Sequence, residues 1–215
     1  MFNCGCKKAS DNGNGSLMRI LPMALYQYAY HNQMITCQTH EVMEPVHDVS
    51  SLTHAHKRSL IACGLYTQVI GFILNSKNER TLIQCVDDGL KNGLNYYGYI
   101  KADEYEYELK KYSRLRDLES FVTLPEIEIN SSGYVVDTLE AAIWCLLTTD
   151  SYEGCVLKAV NLGEDTDTVG AVAGGLAGVY YGYDNIPEKW KAKIAKRDWI
   201  EELCNELFLT FEVVK

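Results

Sequence analysis

Glycine recurs every four residues near the C-terminal end of the sequence, in the segment VGAVAGGLAGVYYGY. The series consists of Gly170, Gly174, Gly178 and Gly182. In a helix, residues four apart lie on one face, so the series predicts a helical face without side chains. Each glycine inside a helix costs about 1 kcal/mol relative to alanine, so such a face indicates close packing against another helix. The segment therefore predicts a central helix in a helical domain.

Apolar residues recur at helical spacing in four other stretches, which predict further helices. These stretches are residues 21–28, 60–72, 82–90 and 139–147. β-branched residues alternate only at residues 126–129, where Pro125 and the polar run NSSG on either side indicate a loop. No linker-like change of composition and no solenoid repeat interrupts the chain. We therefore predict a single all-α domain over residues 1–215, a compact multi-helix bundle.

The charge balance narrows the set of partners. The chain carries 20 Lys and Arg against 29 Asp and Glu, with a net charge of −9 at pH 7. Nucleic acids and anionic membranes bind proteins that carry a broad positive surface, so we expect neither as a partner.

The start of the sequence lacks the apolar segment of a signal peptide, which favours a cytoplasmic protein. The eight cysteines contain no Cys-x-x-Cys pair, so we expect mostly reduced thiols in the core.

Acidic and hydroxyl side chains come directly before the glycine series, in the segment NLGEDTDT. Asp165, Asp167 and Thr168 supply the hard oxygen ligands that Mg²⁺, Mn²⁺ or Ca²⁺ prefer. Residues two apart on a helix point in nearly opposite directions. A shared metal therefore requires residues 165–167 to lie in a loop, with the helix starting near Thr168. The alternative is a helix cap without metal, because Asp and Thr are favoured at N-cap positions.

A second polar segment, SDNGNGSLMR, begins at Ser10 and contains two Asn-Gly steps. Such steps favour a tight loop whose backbone N–H groups can bind a phosphate or a sugar hydroxyl at the start of a helix. Pro22 fits the first turn of the following helix. Arg19 then either meets a phosphate or forms a salt bridge within this acidic chain. The alternative for the whole segment is a simple turn with a serine cap.

Two histidines, His54 and His56, stand at the start of the helix predicted over residues 60–72. Zinc is disfavoured, because no third His or Cys follows at a familiar spacing. Two interpretations remain for these residues: a histidine held by hydrogen bonds for structural reasons, and a polar contact to a ligand.

Four longer motifs occur in a fixed order along nearly the whole chain. They are NGNGSLMRILP, SLTHAHKRSLIACGLY, SSGYVVDTLEAAIWCLL and KAVNLGEDTDTVGAVAGGLAGVYYG, the last followed by IPEKW. Together they resemble the ADP-ribosylglycohydrolase family, which includes dinitrogenase-reductase-activating glycohydrolase. The resemblance implies an all-α fold with a binuclear Mg²⁺ or Mn²⁺ site at the mouth of the bundle. It also implies hydrolysis of the glycosidic bond between ADP-ribose and an acceptor, with ADP-ribose or an ADP-ribosylated protein or small molecule as partner.

The resemblance also assigns roles to individual positions. Asp165, Asp167 and Thr168 match the family's C-terminal metal ligands. The positions that match the loop around the diphosphate and ribose are Ser10, Asp11, Asn12 and Asn14. His54 matches the histidine of the family's Thr-His motif, which faces the ribose.

The sequence departs from the family pattern at its start. Family members open with a glycine-rich helix and a Thr-Asp-Asp-Thr segment, which carries the other metal ligands and an acidic catalytic candidate. This chain begins after both, so the resemblance assigns no catalytic residue and implies an N-terminally truncated domain. It implies a weakened or partial metal site, since affinity follows ligand charge and number. It also implies self-association through the surface that the absent helices would cover. The alternative function is a non-catalytic ADP-ribose-binding or structural remnant of the family.

Overall fold

The structure, a computed structural model, describes residues 4–31, 40–76 and 78–213. Within those residues it contains eleven α-helices and no β-strand, which confirms the all-α prediction. The helices are α1 (Leu21–Tyr30), α2 (His40–Ser51), α3 (Lys57–Ser76), α4 (Leu82–Asn95), α5 (Ala102–Leu109), α6 (Leu118–Val122), α7 (Val135–Leu147), α8 (Tyr152–Asn161), α9 (Thr166–Tyr181), α10 (Glu188–Lys191) and α11 (Arg197–Val213). The four predicted apolar stretches fall in α1, α3, α4 and α7. The segment Glu126–Glu128 forms a 3₁₀ turn, as its flanking residues predict.

Helix α3 forms the centre of the bundle. Every residue from position 58 to position 71 is buried, and the helix packs against α1, α2, α4, α7 and α9. By length and mean hydropathy alone, α3 is long and apolar enough to span a membrane. However, 78% of its most apolar stretch is buried inside the protein, as is usual for the core helix of a bundle.

The glycine series lies on the face of α9 that packs against α8. A Cβ atom on Gly170 would stand 2.9 Å from Cγ1 of Val160, and one on Gly174 would stand 3.4 Å from Cγ2 of Val156. The two helices therefore approach each other more closely than larger side chains would permit, as the sequence predicts. The last glycine of the series, Gly182, follows α9 with a φ of 87° and ends the helix.

Local sequence signals explain where several helices begin. The Thr81 hydroxyl accepts a hydrogen bond from the backbone N–H of Gln84, and Oε1 of Gln84 accepts one from the backbone N–H of Thr81, which forms a capping box at α4. Ser151 caps α8 through a 3.1 Å bond from the backbone N–H of Gly154. Pro22 lies in the first turn of α1, where its missing N–H is not needed.

The described cysteines are all free thiols. The buried ones are Cys63, Cys85, Cys145 and Cys155, and the exposed ones are Cys4, Cys6 and Cys204. The expectation of core thiols is therefore correct for four of these seven positions. Cys37 lies outside the described residues.

Candidate active site

The Asn-Gly loop of residues 10–16 packs against the start of α7. The backbone N–H of Asn14 donates to the carbonyl of Gly133 at 3.0 Å, and the N–H of Val135 donates to the carbonyl of Asn12 at 3.0 Å. These bonds join main-chain atoms, so they hold the two segments together whatever side chains surround them. The loop therefore has a fixed position at one end of the bundle.

The segment before α9 reaches the same place. The backbone N–H of Asp165 donates to the carbonyl of Ser131 at 3.1 Å, and the Ser131 hydroxyl donates to the carbonyl of Gly163 at 3.1 Å. Gly163 and Glu164 both have positive φ angles, 89° and 53°, which turn the chain sharply into α9. This turn brings the acidic segment beside the Asn-Gly loop.

The side chain of Asn14 connects the two segments directly. It is buried, and its Nδ2 donates to Oγ1 of Thr138 at 2.9 Å and to Oδ2 of Asp165 at 2.7 Å. The hydrogen bond from Asn14 is the largest cause of the lowered pKa of Asp165. Asp165 is therefore an ionised carboxylate at neutral pH.

Helix α9 begins earlier than the metal hypothesis required. It starts at Thr166, because the N–H of Val169 already donates to the carbonyl of Asp165 at 3.0 Å. A shared metal required residues 165–167 to lie in a loop with the helix starting near Thr168, and the structure meets this condition only at Asp165. Only Asp165 precedes the helix, and Asp167 lies in its first turn. Asp165 stands at the N-cap position of α9, as the alternative of a helix cap expects, although its side chain makes no capping hydrogen bond.

The donor atoms near the start of α9 are suitable for a hard divalent cation. Asp165 is half-buried and ionised, and Asp167 is exposed with its Oδ1 bonded to the N–H of Thr168 at 2.9 Å. The Thr168 hydroxyl lies 3.9 Å from the sulfur of Met18. In the part of the chain that the structure describes, no group of three or more His, Cys, Asp and Glu residues converges on a point. Two carboxylates and a hydroxyl fit an ion such as Mg²⁺, which keeps several water ligands.

The ring of His54 lies directly over the Asn-Gly loop. A Cβ atom on Gly15 would stand 2.8 Å from its Cε1, and one on Gly13 would stand 3.5 Å from its Nε2. Nδ1 lies 2.9 Å from the hydroxyl of Thr53, which supports a structural role for that nitrogen. Burial, followed by the charge of Arg19, lowers the pKa of His54, so the ring is neutral at pH 7. Nδ1 is therefore committed to Thr53, whereas the Nε2 edge of the ring faces the loop.

Arg19 adds a positive charge beside this ring. Its Nε donates to the carbonyl of Gly15 at 2.5 Å, and its terminal nitrogen donates to the hydroxyl of Thr53. Among the described residues it forms no salt bridge, so the alternative of an internal ion pair is not realised there. The guanidinium is exposed, and its remaining N–H groups can bind an anion.

The remaining residues of the Asn-Gly loop either line its exposed rim or support it from inside. Ser10 is exposed and donates to Oδ1 of Asp11 at 3.0 Å, while the backbone N–H of Lys8 donates to Oδ2 at 3.2 Å. Asn12 is buried, donates to the carbonyl of Ala9 at 2.9 Å and accepts from the Ser59 hydroxyl at 3.2 Å. Ser10 and Asp11 therefore line the rim, and Asn12 supports the loop from inside.

Comparison with known proteins assigns the chain to a family. Residues 2–215 match the sequence profile of the family described as ADP-ribosylglycohydrolase. The chain belongs to the ADP-ribosylglycohydrolase family. A solved structure titled as an ADP-ribosylglycohydrolase-related protein complex matches with a TM-score of 0.62 and 28% identity, over 92% of this chain and 60% of that one.

Several curated proteins of this family are similar in sequence. The chain is 37% identical to ADP-ribosylarginine hydrolase Tri1 of Serratia proteamaculans, over 74% of this chain and 38% of that protein. It is 32% identical to ADP-ribosylarginine hydrolase Tri1 of Pseudomonas putida, over 93% and 46% respectively. It is 28% identical to ADP-ribosyl-[dinitrogen reductase] glycohydrolase of Rhodospirillum rubrum, over 86% and 51%. This ADP-ribosylglycohydrolase-family chain thus spans about half the length of these relatives.

Sequence reasoning did not single out three site residues of this family member. Thr138 accepts from Asn14, Ser131 holds the backbone of Asp165, and a Cβ atom on Gly133 would lie 3.1 Å from Oδ2 of Asp165. All three belong to the motif SSGYVVDT. A polar, glycine-containing entry to an apolar helix is a signal for such a role, but the residues that it contacts lie far away in sequence.

Proposed function

We propose that this chain binds the ADP-ribose group of an ADP-ribosylated substrate and hydrolyses its glycosidic bond to the acceptor. The observation that carries the proposal is the 2.7 Å hydrogen bond from Asn14 to Asp165, which joins the Asn-Gly loop and the acidic segment into one site. Two relatives, 37% and 32% identical, are named as ADP-ribosylarginine hydrolases. An ADP-ribosylarginine linkage is therefore the first substrate to test.

Asp165, Asp167 and Thr168 are the residues that would hold Mg²⁺ or Mn²⁺ in this proposal. A bound divalent ion supplies a Lewis acid and a water molecule of lowered pKa. The lowered pKa of Asp165 favours metal binding, because a carboxylate must be deprotonated to act as a ligand. With few protein ligands, the ion would be held weakly and would be exchanged readily with solvent.

The other residues bind and orient the substrate. Arg19, beside the backbone of the Asn-Gly loop, is suited to a diphosphate, since guanidinium and phosphate form paired hydrogen bonds. The neutral ring of His54 presents Nε2, which is suited to a ribose hydroxyl. In the hydrolysis, the oxygen of water bonds to the anomeric carbon and the bond from that carbon to the acceptor breaks. The proton released by water ends on the acceptor.

Calorimetric titration of ADP-ribose, with and without Mg²⁺ or Mn²⁺, tests the binding part of the proposal. We expect the metal to strengthen binding and the double variant Asp165→Ala/Asp167→Ala to lose this effect. Asp87→Ala/Asp88→Ala is the matched control, because these neighbouring carboxylates pair with Lys91 and Arg80 on the bundle surface. Absence of ADP-ribose binding in the presence of either metal would overturn the proposal.

A second candidate function is binding of ADP-ribose without hydrolysis. It is favoured by the small number of metal-ligating side chains that converge in the described part of the chain. Release of ADP-ribose from an ADP-ribosylarginine protein in the presence of Mn²⁺ distinguishes the two candidates. Release that depends on Asp165 and Asp167 supports the hydrolase, whereas metal-dependent binding without release supports the binding protein.

A further inference from the structure

Helix α11 extends away from the bundle. Every side chain from position 202 to position 210 is exposed. Among the residues that the structure describes, the side-chain bonds from α11 to the body lie near its start, where Arg197 pairs with Glu188 at 2.7 Å and the hydroxyl of Tyr183 bonds to Glu201. A single 17-residue helix is marginally stable in water unless one of its faces is packed. Some partner surface is therefore expected to cover α11.

The exposed helix has a pronounced apolar face. Its members, called here the α11 face, are Trp199, Ile200, Leu203, Cys204, Leu207 and Phe208. The exposed fractions of the five larger side chains lie between 41% and 62%. At about 100° per residue, all six fall within one half of the helix circumference. Leu209 is also exposed but lies on the opposite side, about 180° from Ile200.

We propose that the α11 face binds the same face of a second copy of this chain, with the two helices antiparallel. When the two-fold axis passes between Leu203 and Cys204, these two residues lie opposite each other across the interface. In the same register Ile200 lies opposite Leu207, and Trp199 lies opposite Phe208. Each apolar residue of the face therefore meets another apolar residue, so the pattern is complementary to itself.

The charges at the start of the helix favour the antiparallel direction. Lys193 and Lys196 are exposed just before the N-terminus of α11 and form a positive cluster there, whereas Arg197 is paired with Glu188 and Glu201. Antiparallel pairing brings this positive cluster towards the C-terminal end of the partner helix, where the helix dipole is negative. Parallel pairing would instead bring the two positive clusters together, which is unfavourable.

The polar side of α11 argues against a membrane as the occupant. Asp198, Glu202 and Glu206 are exposed, and Arg197 is the only basic residue within the helix. Helices that lie on membranes usually carry Lys and Arg on their polar face and are attracted to anionic lipids. An acidic face on a protein of net charge −9 is repelled by such a surface. Self-association through the α11 face does not depend on the proposed function.

Sedimentation and light scattering over a wide range of protein concentration test the proposal. We expect a dimer that dissociates on dilution, and we expect Leu203→Glu/Leu207→Glu to remain monomeric. Leu209→Glu is the control: it places one glutamate on the same helix but on the opposite side, so the dimer should persist. These side chains are exposed, and circular dichroism can verify that each variant retains its helices. A wild-type protein that is monomeric throughout, or equal behaviour of the two variants, would overturn the proposal.

Cross-linking with a short bismaleimide tests the direction of the helices. The background replaces Cys37 and the exposed Cys4, Cys6 and Cys204 by serine, and single cysteines are then introduced as Trp199→Cys or Phe208→Cys. In the antiparallel register, a mixture of the two variants cross-links. Trp199→Cys alone does not, because its two copies are offset by nine residues, or about 13 Å along the axis. Cross-linking of Trp199→Cys alone would indicate parallel helices and refute the antiparallel pairing.

Discussion

The side-chain amide of Asn14 donates a 2.7 Å hydrogen bond to Oδ2 of Asp165, which lies 151 positions later in the chain. The same amide donates to the hydroxyl of Thr138 in α7. One buried side chain therefore joins the first loop of the chain, the start of α7 and the start of α9. Residues from three of the family motifs, which are far apart in the sequence, therefore lie together in the fold.

Replacement of Asn14 by alanine should weaken both stability and binding. The variant loses two buried hydrogen bonds and leaves Asp165 without its amide donor, so we expect the free energy of unfolding to fall by about 2 kcal/mol. Urea denaturation measures this change, and calorimetry measures the accompanying loss of ADP-ribose affinity. Asn161→Ala is the control, because the Asn161 side chain is exposed and bonds only within α8. Equal losses of stability in the two variants would contradict the role given to Asn14.

Sequence patterns predicted much of the helical framework. The periodicity that predicts α1, α3, α4 and α7 comes from the burial of one face, which acts locally on residues three and four apart. The glycine series likewise predicts close packing against another helix, and the structure identifies that helix as α8, since Gly170 and Gly174 leave space that Val160 and Val156 occupy. Both the helices and this close contact can be predicted because each depends on residues that lie near one another in the sequence.

The details of the site depend on contacts between distant segments. Asp165 is held by Ser131 and Asn14, and the sequence around Asp165 indicates neither contact. Thr138 was missed for the same reason: a threonine in the first turn of an apolar helix resembles many others. The exposed α11 face is a third example, since an amphipathic pattern predicts a helix without indicating what covers it.

Two glycine-to-alanine substitutions should have opposite effects on stability. A Cβ atom on Gly89 would lie 2.7 Å from the Cα of Val69, a backbone atom of α3 that cannot move aside. We expect Gly89→Ala to lower the free energy of unfolding by about 2 kcal/mol. A Cβ atom on Gly178 would have only an ordinary contact, 3.8 Å from Cε2 of Tyr152. Gly178→Ala should therefore raise the free energy of unfolding by about 0.5–1 kcal/mol.

Thermal or urea unfolding of the two variants measures both effects. Gly178→Ala serves as the internal control, because it makes the same substitution within a helix at a position where the added methyl group has room. Destabilisation of similar size in both variants would show that helix propensity and packing at these two sites have been misjudged.

Glu140 should make stability depend on pH. Its side chain is 6% exposed, and burial raises its pKa from 4.5 to about 7, despite the salt bridge to Arg114. Between those two values the folded state retains a proton that the unfolded state has lost, so stability falls as the pH rises from about 4.5 to about 7. The loss is about 3 kcal/mol in total, from the free-energy equivalent of each pKa unit.

Glu140→Gln tests this effect because the amide cannot ionise and can still accept a hydrogen bond from Arg114. The difference in unfolding free energy, variant minus wild type, should increase as the pH rises through the window and become constant above about pH 8. Subtraction of the wild-type curve removes the contribution of other titrating groups, which both proteins share. A difference that stays constant from acid to neutral pH would contradict the raised pKa.

Substitution of the glycines beneath His54 should change ADP-ribose affinity without unfolding the protein. A Cβ atom on Gly15 would lie 2.8 Å from Cε1 of His54, so Gly15→Ala should move the imidazole away from its place over the loop. We expect ADP-ribose affinity to fall about tenfold, the equivalent of one lost polar contact. Gly13→Ala is the matched control, because its Cβ atom would have an ordinary 3.5 Å contact with Nε2 of the same ring. Unchanged affinity in Gly15→Ala, measured by calorimetry on a protein of normal helix content, would remove His54 from the binding site.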